Sequence, residues 1–339
     1  MNCNKPILTV ILFVFLILPI SSVFASSMMW SQTYGGEYDD VAYELVETLD
    51  GGYALVGYIT YSIYPRFFER QPDLLLVKTD ESGNLEWNKT YGGAGGDIAR
   101  SLIITSDGGY ALVGYTSSFG GTVDFWLVKT DESGNVEWNQ TYGGVQDDRA
   151  YSLVETSDGG YALIGITESF GSGSYDFWLV KTDENGNAEW NKTYGGAGDD
   201  IAHSLVVTSD GGYALAGFTH SFGLGFYNFW LVKTDENGNI MWNQTYGERG
   251  YNQAYSLIET SDGGFAVAGY TNSYDPDDDD FLLVKTDSFG NVEWNQTYGG
   301  TEYEVAFSLI ATPDGGYTMA GYTRSYGAGQ EDFWLVKTD

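Results

Sequence analysis

The sequence predicts an all-β fold: a six-bladed β-propeller with four antiparallel strands per blade. Three observations carry this. Trp30, Trp87, Trp138, Trp190, Trp242 and Trp294 recur at intervals of 57, 51, 52, 52 and 52 residues, each heading the phrase W-(N/S)-(Q/K)-T-Y-G. A period of that size marks a repeat architecture. Each period holds four short strand-like segments separated by glycine turns, and no segment shows a convincing helical period. The inner strands are apolar on both faces, so each sheet needs a cover on both sides, as a blade between two neighbours has.

The elements follow in chain order. Lys5 is the only charge in the first 25 residues, and an apolar run from Ile7 to Ile20 leads to Val23 and Ala25. This reads as a secretory leader, 1–25, cleaved after Ala25. The run is shorter than the ~20 residues that span a bilayer. Cys3 is the lone cysteine, so the mature chain, 26–339, is expected to lack disulfides and thiolate sites. Localisation is expected to be secreted or at the cell surface.

Within residues 97–144, Ala99–Thr105 reads as strand A and Ser106-Asp107-Gly108-Gly109 as a tight turn. Tyr110–Thr116 is strand B, Asp124–Thr130 strand C and Val136–Tyr142 strand D, with a hairpin turn at Asp131-Glu132-Ser133-Gly134-Asn135. The A-B-C unit recurs six times, with D-G-G turns beginning at Asp50, Asp107, Asp158, Asp210, Asp262 and Asp314. The array starts on a D strand (Met29 to Tyr34) and stops after a C strand (Phe333 to Thr338). The N-terminal strand is therefore expected to complete the last blade and remove the open edges of an unclosed array. An open solenoid would instead need atypical capping repeats.

The phrases T-Y-G-G-A-G-D-D-I-A-H-S-L (Thr193 to Leu205), D-G-G-Y-A-L-A-G-F-T (Asp210 to Thr219) and F-W-L-V-K-T-D-E-N-G-N (Phe229 to Asn239) resemble the SBBP-type β-propeller repeat. The resemblance runs from about residue 29 to 339. It implies the propeller fold in a secreted or surface protein of bacteria or archaea, and no shared activity. The G-N-x-x-W hairpin also resembles the tryptophan-docking turn of quinoprotein propellers. Its shorter Asp-to-Gly spacing carries no quinone cofactor over.

Charge narrows the partners. With 47 acidic and 15 basic residues the net charge is -32. Such a surface repels nucleic acid and anionic lipid and attracts cations. A monomer is expected.

The six docking tryptophans are expected to pack between blades. Trp126, Trp178, Trp230 and Trp334 sit on strand C. An acidic or amide residue precedes each strand A: Asp40, Asp97, Asp148, Asp200, Asn252 and Glu304. These form either a ring at the channel mouth that attracts cations, or side chains that accept backbone N–H bonds and shape each turn; Asn252 favours the second. Lys78, Lys129, Lys181, Lys233, Lys285 and Lys337 each lie two residues before an aspartate, which suggests a structural ion pair. The Thr-Asp-Glu-(Ser/Asn)-Gly-Asn turns lack calcium-loop spacing and read as plain hairpins. Asn88, Asn139, Asn191, Asn243 and Asn295 begin N-x-T sequons on the outer strand, open to N-glycans, although repeat copying alone explains five of them.

Two B-to-C loops break the pattern. Ile59 to Pro72 is five or six residues longer than its siblings and holds Tyr61, Tyr64, Arg66, Phe67, Phe68 and Arg70. Aromatics beside arginines suit sugar stacking or a protein contact. The other loop holds Asp275, Asp277, Asp278 and Asp279, carboxylates that suit Ca²⁺ or plain solvation. In the same blades strand C carries Leu75 and Leu282 in place of tryptophan, which suggests a differentiated sector. Support for catalysis is thin. His203 and His220 occupy variable positions, and no nucleophile motif or metal triad stands out. The favoured reading is a non-catalytic scaffold for glycan, surface protein or cations. The alternatives are a carbohydrate-active enzyme with acidic residues at the channel mouth and a structural envelope component.

Overall fold

The computed structural model describes residues 30–62, 70–273 and 278–339; the side chains of Ser62 and Arg70 are not described. The expected leader and Cys3 lie outside them. Gln32–Asp339 form one compact unit. Among the described residues every regular element is a strand, and no helix is long and apolar enough to cross a membrane.

Blade one is β1 (Val41–Glu47), β2 (Tyr53–Ser62), β3 (Arg70–Thr79) and β4 (Leu85–Tyr91). Blade two is β5 (Asp97–Ile104), β6 (Tyr110–Thr116), β7 (Asp124–Thr130) and β8 (Val136–Tyr142). Blade three is β9 (Asp148–Glu155), β10 (Tyr161–Thr167), β11 (Asp176–Thr182) and β12 (Ala188–Tyr194). Blade four is β13 (Asp200–Val207), β14 (Tyr213–Thr219), β15 (Asn228–Thr234) and β16 (Ile240–Tyr246). Blade five is β17 (Asn252–Glu259), β18 (Phe265–Thr271), β19 (Asp280–Thr286) and β20 (Val292–Tyr298). Blade six is β21 (Glu304–Ala311), β22 (Tyr317–Thr323) and β23 (Asp332–Lys337). Each sheet pairs its strands antiparallel in chain order. Consecutive A strands touch one another, so A strands line the centre and D strands the rim.

The cores lie between blades. Ala54, Val56, Leu74 and Leu76 of blade one pack with Ala99, Leu102, Tyr110, Leu112 and Trp126 of blade two. The docking tryptophans act here as expected. Trp87 meets the edge of Tyr110 at 5.9 Å. It also lies under Gly134, where an added Cβ would come within 2.7 Å of the indole. Gly134 has φ +73°, a conformation that also favours glycine. Tyr91 then donates its hydroxyl to Gly134 O at 2.7 Å, and Tyr142, Tyr194 and Tyr246 repeat the bond to Gly186, Gly238 and Gly290.

One expectation needs correction. The sixth sheet has three strands, and residues 30–36 take no strand conformation. The segment Met29 to Tyr34, as far as it is described, does not complete the last blade. Its last residue is held instead by blade one, where Tyr34 donates to Gly83 O at 2.5 Å. Bridging would require blades six and one to abut, and among the described residues no packing like that between successive blades joins them. Phe333 and Leu335 are consequently 104% and 69% exposed, and a groove of about 740 Å³ opens along β22 and β23. On the opposite side of the seam Val41, Tyr43 and Leu45 are exposed.

Candidate functional site

The channel is the first place to look for chemistry. Each A strand carries a β-bulge at its third or fourth residue, which frees one side chain from the ladder. These side chains are Tyr43, Arg100, Tyr151, His203, Tyr255 and Phe307. They form a continuous file. The Arg100 guanidinium lies 4.0 Å from the Tyr43 ring centroid and 5.8 Å from that of Tyr151. His203 sits between Tyr151 (5.3 Å) and Tyr255 (4.8 Å), and Tyr255 meets Phe307 at 5.2 Å. Burial, aided by the Arg100 charge, holds the His203 imidazole down to about 3. It is therefore neutral near pH 7, without the poised proton of a general acid or base. This file went unread in the sequence, where the bulged residue is variable but so is the strand's second residue, Ile98, Arg149, Ile201, Gln253 or Val305.

The D-to-A and B-to-C loops share one end of the sheets, as the bond from Ser117 N to Gly96 O (2.8 Å) illustrates. Asp97, Asp148, Asp200, Asn252 and Glu304 are fully buried there. Asp97 accepts from Gly93 N (2.9 Å), Ser118 Oγ (2.6 Å) and Thr116 Oγ1. Asp148 accepts from Gly144 N (2.9 Å) and Ser169 Oγ (2.8 Å). Glu304 accepts from Gly300 N, Ser325 N and Thr323 Oγ1. Asp40, less buried, accepts from Gly36 N and Thr60 N. Each therefore anchors its loop.

The two irregular loops divide. Blade one is no simple long loop: β2 and β3 run to ten residues against the usual seven and project as a hairpin, pairing Thr60 with Pro72 and Tyr61 with Gln71. Tyr61 is 41% exposed. Tyr64, Arg66, Phe67, Phe68 and the Arg70 side chain lie outside the described residues, as do Asp275 and Asp277. In blade five Asp278 is buried and meets Asp280 and Glu304, with one carboxylate oxygen of each within 4.8 Å of the others. Asp279 lies next to this group and outside it, its carboxyl raised by burial.

An aromatic cluster that sequence reading missed stands where the loops of blades four and five meet. His220 stacks on Phe226 (5.2 Å, 13°), and Phe226 stacks on Tyr251 (5.4 Å, 25°). Tyr227 closes the group against Phe218 and Tyr251. The backbone fixes it, since Phe226 N and Tyr227 N both donate to Gly250 O. Phe226 is 57% and neighbouring Leu224 83% exposed. Phe119, Phe170, Phe222 and Tyr326 add half-exposed rings on the same end, each resting on the strand C tryptophan of its blade, Trp126, Trp178, Trp230 or Trp334.

At the other end each lysine does form an ion pair, but with a partner other than the expected one. Lys129 bonds Asp107 of the D-G-G turn and Glu137 of β8, both at 2.8 Å. Asp131, two residues on, instead accepts from Ser133 N and Asn135 N and shapes the hairpin. The sequon asparagines are exposed on the outer strands. Asn139, Asn191 and Asn243 accept the indole N–H of Trp126, Trp178 and Trp230 at 3.2 Å.

No family model matches the chain. A curated relative, the regulatory protein FlaEY of Caulobacter vibrioides, is 28% identical over 163 residues, which is 40% of this chain. The match spans 17% of that protein's length. Among solved structures the chain is similar to the periplasmic gluconolactonase of Pseudomonas aeruginosa, with TM-score 0.51, 12% identity, and coverage of 84% and 85% of the two chains. It is also similar to the β-propeller domain of the Trilobed protease from Pyrococcus furiosus, with TM-score 0.48, 10% identity, and coverage of 88% and 81%. At such identities the likeness concerns the propeller fold alone.

Proposed function

We propose that this chain is a secreted or cell-surface binding propeller of the SBBP-like type, and that it takes a glycan on its loop end without chemistry. The exposed stack of His220, Phe226 and Tyr251 carries the reading. Flat rings held open to solvent offer the apolar faces on which sugar rings stack, and they keep little conformational freedom to lose on binding. The leader-like residues 1–25 and the acidic composition agree with an extracellular setting. The buried carboxylates weigh against a glycosidase, because a hydrolytic pair must flank an accessible glycosidic bond.

The test is a glycan array followed by titration of the best ligand. Phe226→Ala and Tyr251→Ala should each weaken binding at least about tenfold, the loss of one stacking anchor, with melting unchanged. No reducing sugar should be released. Binding that survives both substitutions but disappears when residues 63–69 are replaced by a short turn would move the site to blade one. Reducing-sugar release abolished by a carboxylate-to-amide change would replace the reading with an enzyme.

A further inference from the structure

Every junction between successive blades brings together a residue at or near the start of one strand C and the first residue of the next strand A. The pairs are Asp73 with Asp97, Asp124 with Asp148, Asp176 with Asp200, Asn228 with Asn252, and Asp280 with Glu304. In the four acidic junctions both carboxylates converge on one glycine of the D-to-A loop. A Cβ on Gly143 would lie 1.9 Å from Asp124 Oδ1 and 2.9 Å from Asp148 Oδ2. On Gly195 it would lie 1.7 Å from Asp176 Oδ1 and 2.7 Å from Asp200 Oδ2.

These are buried like charges. Asp124 and Asp176 are 6% and 2% exposed, Asp148 and Asp200 0%. Asp124 Oδ1, Asp148 Oδ1 and Asp176 Oδ1 are buried without a hydrogen-bond partner. Among the described residues no salt bridge reaches any of these four; the blade lysines are engaged at the opposite end of the sheets. Two carboxylates enclosed together cost several kcal/mol unless something neutralises them.

Two junctions identify that something. Between blades five and six a third acid, Asp278, joins Asp280 and Glu304. Three carboxylates that each bring an oxygen within 4.8 Å of the others offer the ligand set of a divalent cation. Between blades four and five both acids are amides. Asn228 Nδ2 donates to Phe222 O (3.0 Å), and Asn252 Nδ2 to Tyr227 O (3.0 Å) and Glu248 O (3.3 Å). The two positions lie in different repeats and are amides together, as the two sides of a junction without an ion should be.

We propose that the acidic junctions bind divalent cations of calcium's class between blades, most tightly at Asp278, Asp280 and Glu304, and that the Asn228–Asn252 junction is built to do without one. Hard carboxylate oxygens suit such an ion, and backbone carbonyls and water can complete its six to eight ligands.

The test uses the full chain stripped with a chelator. Calcium titrated by calorimetry should bind at more than one site and raise the melting temperature. Asp280→Asn with Glu304→Gln should remove the tightest class. Asp124→Asn with Asp148→Asn copies the natural amide junction, so it should fold and lose one site. Asn228→Asp with Asn252→Asp should add one. The assignment fails if calcium leaves the stripped protein's melting unchanged. It fails equally if the amide pair at 124 and 148 binds as much calcium as the parent; a pair whose replacement alters only the pH dependence of melting shares a proton.

Discussion

Blades three and six spell strand C with the same six letters, D-F-W-L-V-K, yet their side chains end in opposite surroundings. In blade three Phe177 and Leu179 are 0% exposed; in blade six Phe333 and Leu335 are 104% and 69% exposed. What differs is the next blade. Phe177 packs on Trp230 of blade four at 4.7 Å, while among the described residues no ring covers Phe333 in that way. Burial in this fold is conferred by the neighbour, so a repeat is not a folding unit by itself.

Four measurements would break or sharpen that contrast. Phe177→Ala should cost about 3–5 kcal/mol in urea unfolding, as buried aromatic truncations do, and Phe333→Ala no more than about 0.5 kcal/mol, as at ordinary surface positions. Equal costs would mean that blade one covers blade six in solution. Trp138→Ala, which empties the seat under Gly186, should cost about 3 kcal/mol. Trp294, 38% exposed, should cost clearly less by the same assay.

Tyr34→Phe should cost about 1 kcal/mol, the worth of one hydrogen bond, if the Gly83 contact holds the N-terminal segment to blade one. An unchanged unfolding midpoint would show the segment free of that blade.

The smallest effect is acid titration. Burial pulls the Asp107, Asp158 and Asp210 carboxyls upward, but bonds from Lys129, Lys181 and Lys233 and from the turn threonines outweigh it and bring them to about 2. Their folded values lie below the unfolded one near 4, so their stabilisation is present above pH 4 and fades as pH falls towards 2. Because these carboxylates are half exposed the effect should be modest. Burial raises the Asp124 and Asp176 carboxyls. Their contribution is full below pH 4 and is lost as pH rises through their folded values, so metal-free protein should melt higher on mild acidification. Melting curves from pH 2 to 7, with Lys129→Met and Asp124→Asn, separate the two ends.

The strand pattern was legible in the sequence because it is local: D-G-G demands a turn, and strands apolar on both faces demand a cover on both sides. Partners across space were harder. Lys129 lies two residues from Asp131 in the chain but bonds Asp107 and Glu137, because the D-G-G turn and β8 flank its strand end. The channel file escaped because a bulge shifts register without leaving a mark in composition, so Arg100 and His203 look like any outlying letter. The Phe226–Tyr251 stack joins two loops of different blades, and the acid pairs likewise straddle a boundary that no single repeat displays.

That straddling bears on how such a chain grows. Asn228 begins β15 and Asn252 begins β17, and between them lie only the rest of β15, β16 and two short connections. A gene segment cut within the B-to-C loop carries strand C, strand D and the next strand A together, and so inherits a junction whole. A segment cut at the blade edge splits it and pairs an aspartate with an asparagine. Among the described junctions every pair is acid with acid or amide with amide, the matching that a unit offset from the blades would preserve.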